Sequence, residues 1–71
     1  MNIREEFEVP ARGWWERGRL MQEINLAAER IEHQVEGLVC VGSRGTAQNF
    51  RLVFCGLWEN SGDAGLVKIA L

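Results

Sequence analysis

Two hydrophobic periods run along the chain, and each predicts a different kind of element. Apolar and charged side chains alternate over residues 3–9, which is typical of a half-buried strand that ends at Pro10. Beyond residue 19, apolar side chains recur at spacings of three and four residues, which predicts an amphipathic helix that continues to Gly37. The apolar stripe of this helix comprises Leu20, Ile24, Ala27, Ala28, Ile31 and Val35.

The second half of the chain is predicted to form strands separated by turns. Residues 38–41 and 48–58 are apolar runs, and the glycine-bearing segment 42–46 between them predicts a hairpin loop. Residues 59–65 are rich in turn-forming side chains, and residues 66–71 alternate again, which predicts a final strand. The predicted order is therefore β-α-β-β-β, a two-layer α+β sandwich in which one helix packs on a mostly antiparallel four-stranded sheet.

Residues 1–71 are expected to form a single domain, and its small size limits how much apolar surface it can bury. A hydrophobic fraction of 46% is generous for so short a chain, so apolar surface should remain after one helix has covered one face of the sheet. Alternation within segment 48–58 places Val53, Cys55 and Leu57 beside Arg51 on the uncovered face. This face is a candidate contact surface between the subunits of a homodimer.

The charge balance and the N terminus bear on partners and location. A net charge of −2 argues against strong attraction to nucleic acid or to an anionic membrane, because both depend on an excess of basic residues. The first residues are charged, and no apolar run approaches the roughly 20 residues that a membrane-spanning helix needs. These features predict a cytoplasmic protein in which both cysteines stay reduced.

Catalytic and metal-binding chemistry has little support in the sequence. His33 is the single histidine, and the helical period places it on the solvent side with Glu29 one turn before it. Cys40 and Cys55 are expected to be packing residues, since the predicted hairpin would set Cys40 opposite roughly Asn49. No spacing of cysteine and histidine matches a structural zinc site. We therefore expect a protein without enzymatic activity, metal or cofactor.

The segment with the strongest indication of a binding role lies between the first strand and the helix. Its sequence is Arg12-Gly13-Trp14-Trp15-Glu16-Arg17-Gly18-Arg19. Adjacent side chains diverge by about 100° in a helix and lie on opposite faces of a strand, so one core does not readily bury both indoles. Two interpretations remain open: an indole caps the hydrophobic layer of the sheet beneath arginine stems, or the segment binds a partner. The partner-binding residues would be Arg12, Trp14, Trp15, Arg17 and Arg19.

Three functions are compatible with this surface chemistry. The first is a small non-enzymatic module, expected to be a homodimer, that docks on a larger protein. In size and composition the chain resembles the small inhibitors that phages and other mobile elements encode, anti-CRISPR proteins among them; the resemblance covers no motif and assigns no residue a role. The alternatives are a single-stranded nucleic-acid-binding protein, in which aromatic side chains stack on bases, and a homo-oligomer with a small-ligand pocket between subunits.

Overall fold

In the computed structural model, which describes residues 2–71, the chain forms a three-stranded antiparallel sheet and two α-helices. The strands are β1 (Ile3–Pro10), β2 (Val35–Arg44) and β3 (Arg51–Trp58), and the helices are α1 (Arg17–Arg30) and α2 (Asp63–Ala70). The strand order is β1-β3-β2, so β3 is central. The predicted α+β class, with a helix packed on an antiparallel sheet, is confirmed. The prediction of four strands is wrong.

The central position of β3 explains why its sequence is apolar on both faces. Phe54 lies opposite Phe7 of β1 and Cys40 of β2, so each edge strand flanks it. The main hydrophobic core joins alternate β3 residues to both helices, whereas Val53 and Cys55 lie on the other face, outside that core. We call this second face, which the helices leave uncovered, the open face.

Helix α1 ends earlier than the apolar stripe predicts, at Arg30 instead of Gly37. The chain leaves the helix through Glu32, whose φ of 58° is left-handed. The N–H of His33 donates to the carbonyl of Ala28 over 2.9 Å, and that of Glu32 donates to the carbonyl of Glu29 over 3.1 Å, the hydrogen-bond pair of a Schellman motif. The end of the predicted stripe therefore belongs to β2, which extends from residue 35 to residue 44 and is followed by the hairpin loop.

The C-terminal segment is a helix where the sequence predicted a strand. Alternation grouped Val67, Ile69 and Leu71 on one face, yet only Val67 is buried and Ile69 is 84% exposed. The buried pair is Ala64 and Val67, three residues apart, which is the spacing of a helix that contacts the core along one side. Helix α2 thus contributes a second helical element to the core instead of a fourth strand.

Trp58 fills the centre of the core. It is fully buried, and its ring lies edge-on to Phe7 with 6.0 Å between centroids. Its indole nitrogen has no hydrogen-bond partner among residues 2–71, which opposes some of the stabilisation gained by burying the ring. Neither α1 nor α2 has the length and apolar character that crossing a bilayer requires.

Candidate functional site

The tryptophan segment, which we define as Arg12–Arg19, connects β1 to α1 and is anchored at both ends. Just before it, the backbone N–H of Ala11 donates to the carbonyl of Phe50 over 3.0 Å, which extends the sheet pairing beyond Pro10. Trp14–Glu16 then form a 3-10 turn that leads directly into α1. The two indoles therefore lie on a short turn between two rigid elements rather than on a long loop.

Glu16 is the polar centre of the segment. Its side chain is 5% exposed, and its Oε2 accepts the backbone N–H of Arg12 over 2.7 Å. Its Oε1 accepts the guanidinium of Arg12 over 3.1 Å and that of Arg19 over 2.8 Å. Arg19 also donates to Glu23 over 2.7 Å. One buried carboxylate thus ties the start of the segment to the first turn of α1.

The charge on this carboxylate is strongly favoured. The backbone hydrogen bond from Arg12, followed by that from the Arg19 guanidinium, lowers the pKa of Glu16 to about 2 from its ordinary 4.5, although burial acts in the opposite direction. The hydrogen bonds to Glu16 and then to Glu23 raise the pKa of Arg19. Glu16 therefore stays ionised, and the arrangement holds, at any pH near neutrality.

Both indoles are exposed, and each rests on a different support. Trp14 is 45% exposed and packs edge-on against Phe50, with 6.4 Å between ring centroids. The guanidinium carbon of Arg17 lies 5.9 Å from the centre of the Trp14 ring, within the range of a cation–π contact. Trp15 is 75% exposed and lies across Gly13, where a Cβ would overlap its ring. The pair presents a wide aromatic surface to solvent.

The five residues predicted for partner binding all lie in this segment, but their arginines differ in role. Arg12 and Arg19 bind Glu16, and Arg17 lies beside Trp14. The sequence analysis did not predict a role for Glu16. Glu16 lies four residues after Arg12 and three before Arg19, a spacing that indicates ion pairs along a helical turn. The side chains of Arg12 and Arg19 remain 81% and 52% exposed, so both can still contact a partner.

The predicted dimer face stays a prediction, but two of its four residues are buried in the isolated chain. Val53 and Cys55 are only 5% and 4% exposed, and both lie on the central strand β3 with a strand on either side. From β1, Arg4 donates to the sulfur of Cys55 over 3.0 Å, and Glu8 forms an ion pair with Arg51 over 3.0 Å. The apolar residues exposed on the open face are Val39, Val41 and Leu57.

The cysteines and the histidine also differ in position from their predicted places. Cys40 lies opposite Phe54 rather than Asn49, and both thiols are free. His33 follows α1 instead of lying on its solvent side beside Glu29, and its Nδ1 is 3.3 Å from the buried carboxylate of Asp63. Within residues 2–71, no group of three or more histidine, cysteine and acidic side chains is arranged to hold a metal ion.

Comparison of the chain with protein-family models, with curated proteins and with solved structures finds no match. No relative therefore assigns a role to the tryptophan segment. Its function has to be inferred from exposure, charge and contacts. The indoles and the buried carboxylate that holds them are the features that most need a functional explanation.

Proposed function

We propose that this chain is a non-enzymatic binding module that docks on a larger protein through the tryptophan segment. The observation that carries the proposal is the exposure of two adjacent indoles, 45% for Trp14 and 75% for Trp15, on a turn fastened by the buried carboxylate of Glu16. Tryptophan and arginine are the residues most enriched among those that dominate binding energy at protein interfaces.

The rigid attachment of the indoles favours binding over a purely structural role. A tryptophan that serves the core is buried, as Trp58 is, whereas Trp15 is 75% exposed and lies across Gly13. Side chains that are already ordered lose less conformational entropy on association, so the hydrogen bonds of Glu16 support affinity as well as fold.

The chemistry of the segment indicates the kind of partner surface. Arg12, Arg17 and Arg19 add three positive charges against the two negative charges of Glu16 and Glu23. An apolar cleft rimmed by carboxylates complements this arrangement, because the indoles enter the cleft while the exposed guanidiniums meet its acidic rim. In function, the proposal is an inhibitor of a larger cytoplasmic protein complex, in keeping with the small size of the chain.

The test is affinity capture from the native host with matched baits. We expect Trp15→Ala to bind the partner that wild type captures roughly 30-fold more weakly. This corresponds to a loss of ~2 kcal/mol of binding free energy, as expected for a tryptophan at the centre of an interface. Leu26→Ala is the control, because Leu26 is 54% exposed on α1, outside the segment, and should capture the partner as wild type does. Equal capture by wild type and Trp15→Ala, with both baits folded by circular dichroism, overturns the proposal.

A fluorescence titration separates protein binding from nucleic-acid binding at the same surface. The acidic balance of the chain predicts no more than weak quenching by a single-stranded oligonucleotide. Tight quenching that falls steeply with salt, and that Trp14→Ala removes, would replace the protein partner with a nucleic acid. No quenching at low salt excludes that alternative.

A further inference from the structure

The two outer edges of the sheet differ in chemistry. The strand order leaves one side of β1 and one side of β2 without a neighbouring strand. The open-face side chains of β1 are charged and the strand ends at Pro10, features that discourage the addition of another strand. The centre of β2 is instead Val39-Cys40-Val41, in which the two valines are 48% and 47% exposed. This ten-residue edge is suited to pairing with another strand.

Strand β2 is complementary to itself in one antiparallel register. When two copies are related by a two-fold axis at Cys40, Val39 of one copy lies opposite Val41 of the other. The same register sets Glu36 opposite Arg44 at both ends of the paired segment. Apolar side chains then meet at the centre and opposite charges meet at each end, which is the pattern that stabilises cross-strand pairs.

The sheet places these complementary charges on the same face. Glu36 lies opposite Leu57, and Arg44 lies opposite Arg51, whose contact with Glu8 is on the open face. Glu36 accepts a hydrogen bond from Asn2 at Oε2, and Arg44 contacts Glu8 through Nη1. These contacts leave Oε1 of Glu36 and Nη2 of Arg44 available for a second ion pair.

Strand β2 carries two bulges, which a paired second copy has to accommodate. They fall between Glu36 and Val39 and between Cys40 and Gly42, where β2 pairs with β3. The glycines at these positions, Gly37 and Gly42, have open space around them. A Cβ added at either glycine would meet no atom within 4 Å.

We propose that the partner of the β2 edge is a second copy of this chain, paired antiparallel about Cys40 to form a continuous six-stranded sheet. The dimer covers the exposed valines of β2 and leaves the charged edges of β1 at its two outer limits. Those edges discourage further strand addition, so the assembly closes as a dimer instead of growing into a fibre. The tryptophan segment lies outside this interface and stays free to bind.

Thiol cross-linking tests the register directly. Directly opposed residues of antiparallel strands have Cα atoms about 4.5–5.5 Å apart, within the range that a disulfide spans. Diamide, which takes up the two hydrogens that two thiols lose, should therefore link Cys40 to Cys40 of the second copy. We expect a covalent dimer from wild type and none from Cys40→Ser, which keeps the buried Cys55. No covalent dimer from wild type, or one that persists in Cys40→Ser, overturns the proposal.

A charge exchange tests the ends of the pairing. Arg44→Glu sets two carboxylates opposite each other at both ends, and we expect it to raise the dimer dissociation constant by about tenfold. Glu36→Arg should have the same effect through opposed guanidiniums. The double variant restores opposite charges and should return the constant to near its wild-type value, measured by sedimentation equilibrium. A double variant as weak as the single ones, or wild type that sediments at 8.1 kDa throughout, contradicts the pairing.

The experiments distinguish failure of the partner-binding proposal from failure of the dimer proposal. Trp15→Ala is expected to lose the larger partner while its cross-linking and sedimentation match wild type. Arg44→Glu is expected to dimerise about tenfold more weakly while it still captures the larger partner as wild type does. Loss of self-association in Trp15→Ala would show that the dimer forms through the indoles and not through β2.

Discussion

Trp58 and the adjacent pair Trp14 and Trp15 are the same side chain in opposite surroundings. Trp58 is fully buried at the end of β3, opposite Ile3 and Val35 of the flanking strands. Trp14 and Trp15 stand on a turn outside the sheet, and Trp15 keeps three quarters of its surface in solvent. Hydrophobicity alone does not decide where an indole goes. Strand register brings Trp58 under the helices, whereas Trp14 and Trp15 lie on a turn that the hydrogen bonds of Glu16 fasten outside the sheet.

Removal of the buried indole should have the largest effect on the stability of the fold. Trp58→Ala should destabilise the fold by about 3–5 kcal/mol, because it deletes the largest side chain of the core and leaves a cavity. A domain of 71 residues has a total stability of about 4–11 kcal/mol, so the variant should be largely or partly unfolded at 37 °C. Urea denaturation followed by circular dichroism measures the loss.

Trp58→Phe is the matched control for this variant. It keeps an aromatic ring at the site and removes the indole nitrogen that lacks a partner within residues 2–71. Its cost should be clearly smaller than that of Trp58→Ala. A loss below about 1 kcal/mol in Trp58→Ala would show that this core position tolerates a cavity, against the ordinary behaviour of buried aromatics.

The next largest effect on stability is expected from Glu16, whose carboxylate fastens the turn that carries the exposed indoles. This effect depends on pH. The pKa of Glu16 in the folded chain is about 2, below its ordinary 4.5, so the folded state favours the ionised form. The stabilisation is complete above about pH 4.5 and is lost as the pH falls toward 2. Glu16→Gln should therefore melt below wild type at pH 6, and the difference should shrink as the pH falls.

Thermal melts of both proteins between pH 2 and pH 6 check this expectation. Glu23→Gln is the control, because Glu23 is half exposed and its carboxylate pairs with Arg19. Its difference from wild type should be small at every pH, as expected for an exposed ion pair. A constant gap between Glu16→Gln and wild type across the range would show that packing, and not charge, makes Glu16 important.

Elements that depend on local sequence alone were predicted correctly from the sequence, and elements that depend on tertiary packing were not. Four apolar residues of the α1 stripe are buried as expected, because a 3.6-residue period needs no knowledge of the rest of the chain. Segment 66–71 is short enough to fit alternation and helical spacing alike, and only packing against α1 and β1 selects the helix. The end of α1 at Arg30 was missed because the left-handed residue that follows it, Glu32, is not a glycine.

The candidate site was predictable in its residues but not in its organisation. Two adjacent indoles among arginines were enough to single out the segment and to expect that one core would not bury both, but the exposure of both was not predicted. The burial of Glu16 was not predictable, because an acidic side chain between Trp15 and Arg17 resembles an ordinary surface charge. Its burial arises only when Arg12 and Arg19, from either side of the turn, converge on it. The open face shows the same limit, since the shielding of Val53 depends on which strand is central.

The two exposed indoles should contribute differently to the stability of the fold. Trp14 is half covered and packs on Phe50, so Trp14→Ala should cost about 1 kcal/mol. Trp15→Ala should change stability by less than about 0.5 kcal/mol, as most surface substitutions do. Chemical denaturation of both variants beside wild type measures the difference. Equal costs would mean that Trp15 supports the fold through Gly13 more than its exposure indicates.

Gly13→Ala, which adds a methyl group, should have the smallest effect on stability. It is also the most direct test of where the Trp15 ring has to lie. The backbone of Gly13 is extended, with φ of 176°, so alanine fits it without strain, but its Cβ would overlap the Trp15 ring. The ring must therefore move, and we expect altered acrylamide quenching and weaker partner capture with little change in stability. Gly18→Ala is the control, because nothing lies within 4 Å of its Cβ and alanine favours the helix by up to about 1 kcal/mol. If Gly13→Ala binds as wild type does, the position of the Trp15 ring does not contribute to recognition, and Trp14 alone carries the site.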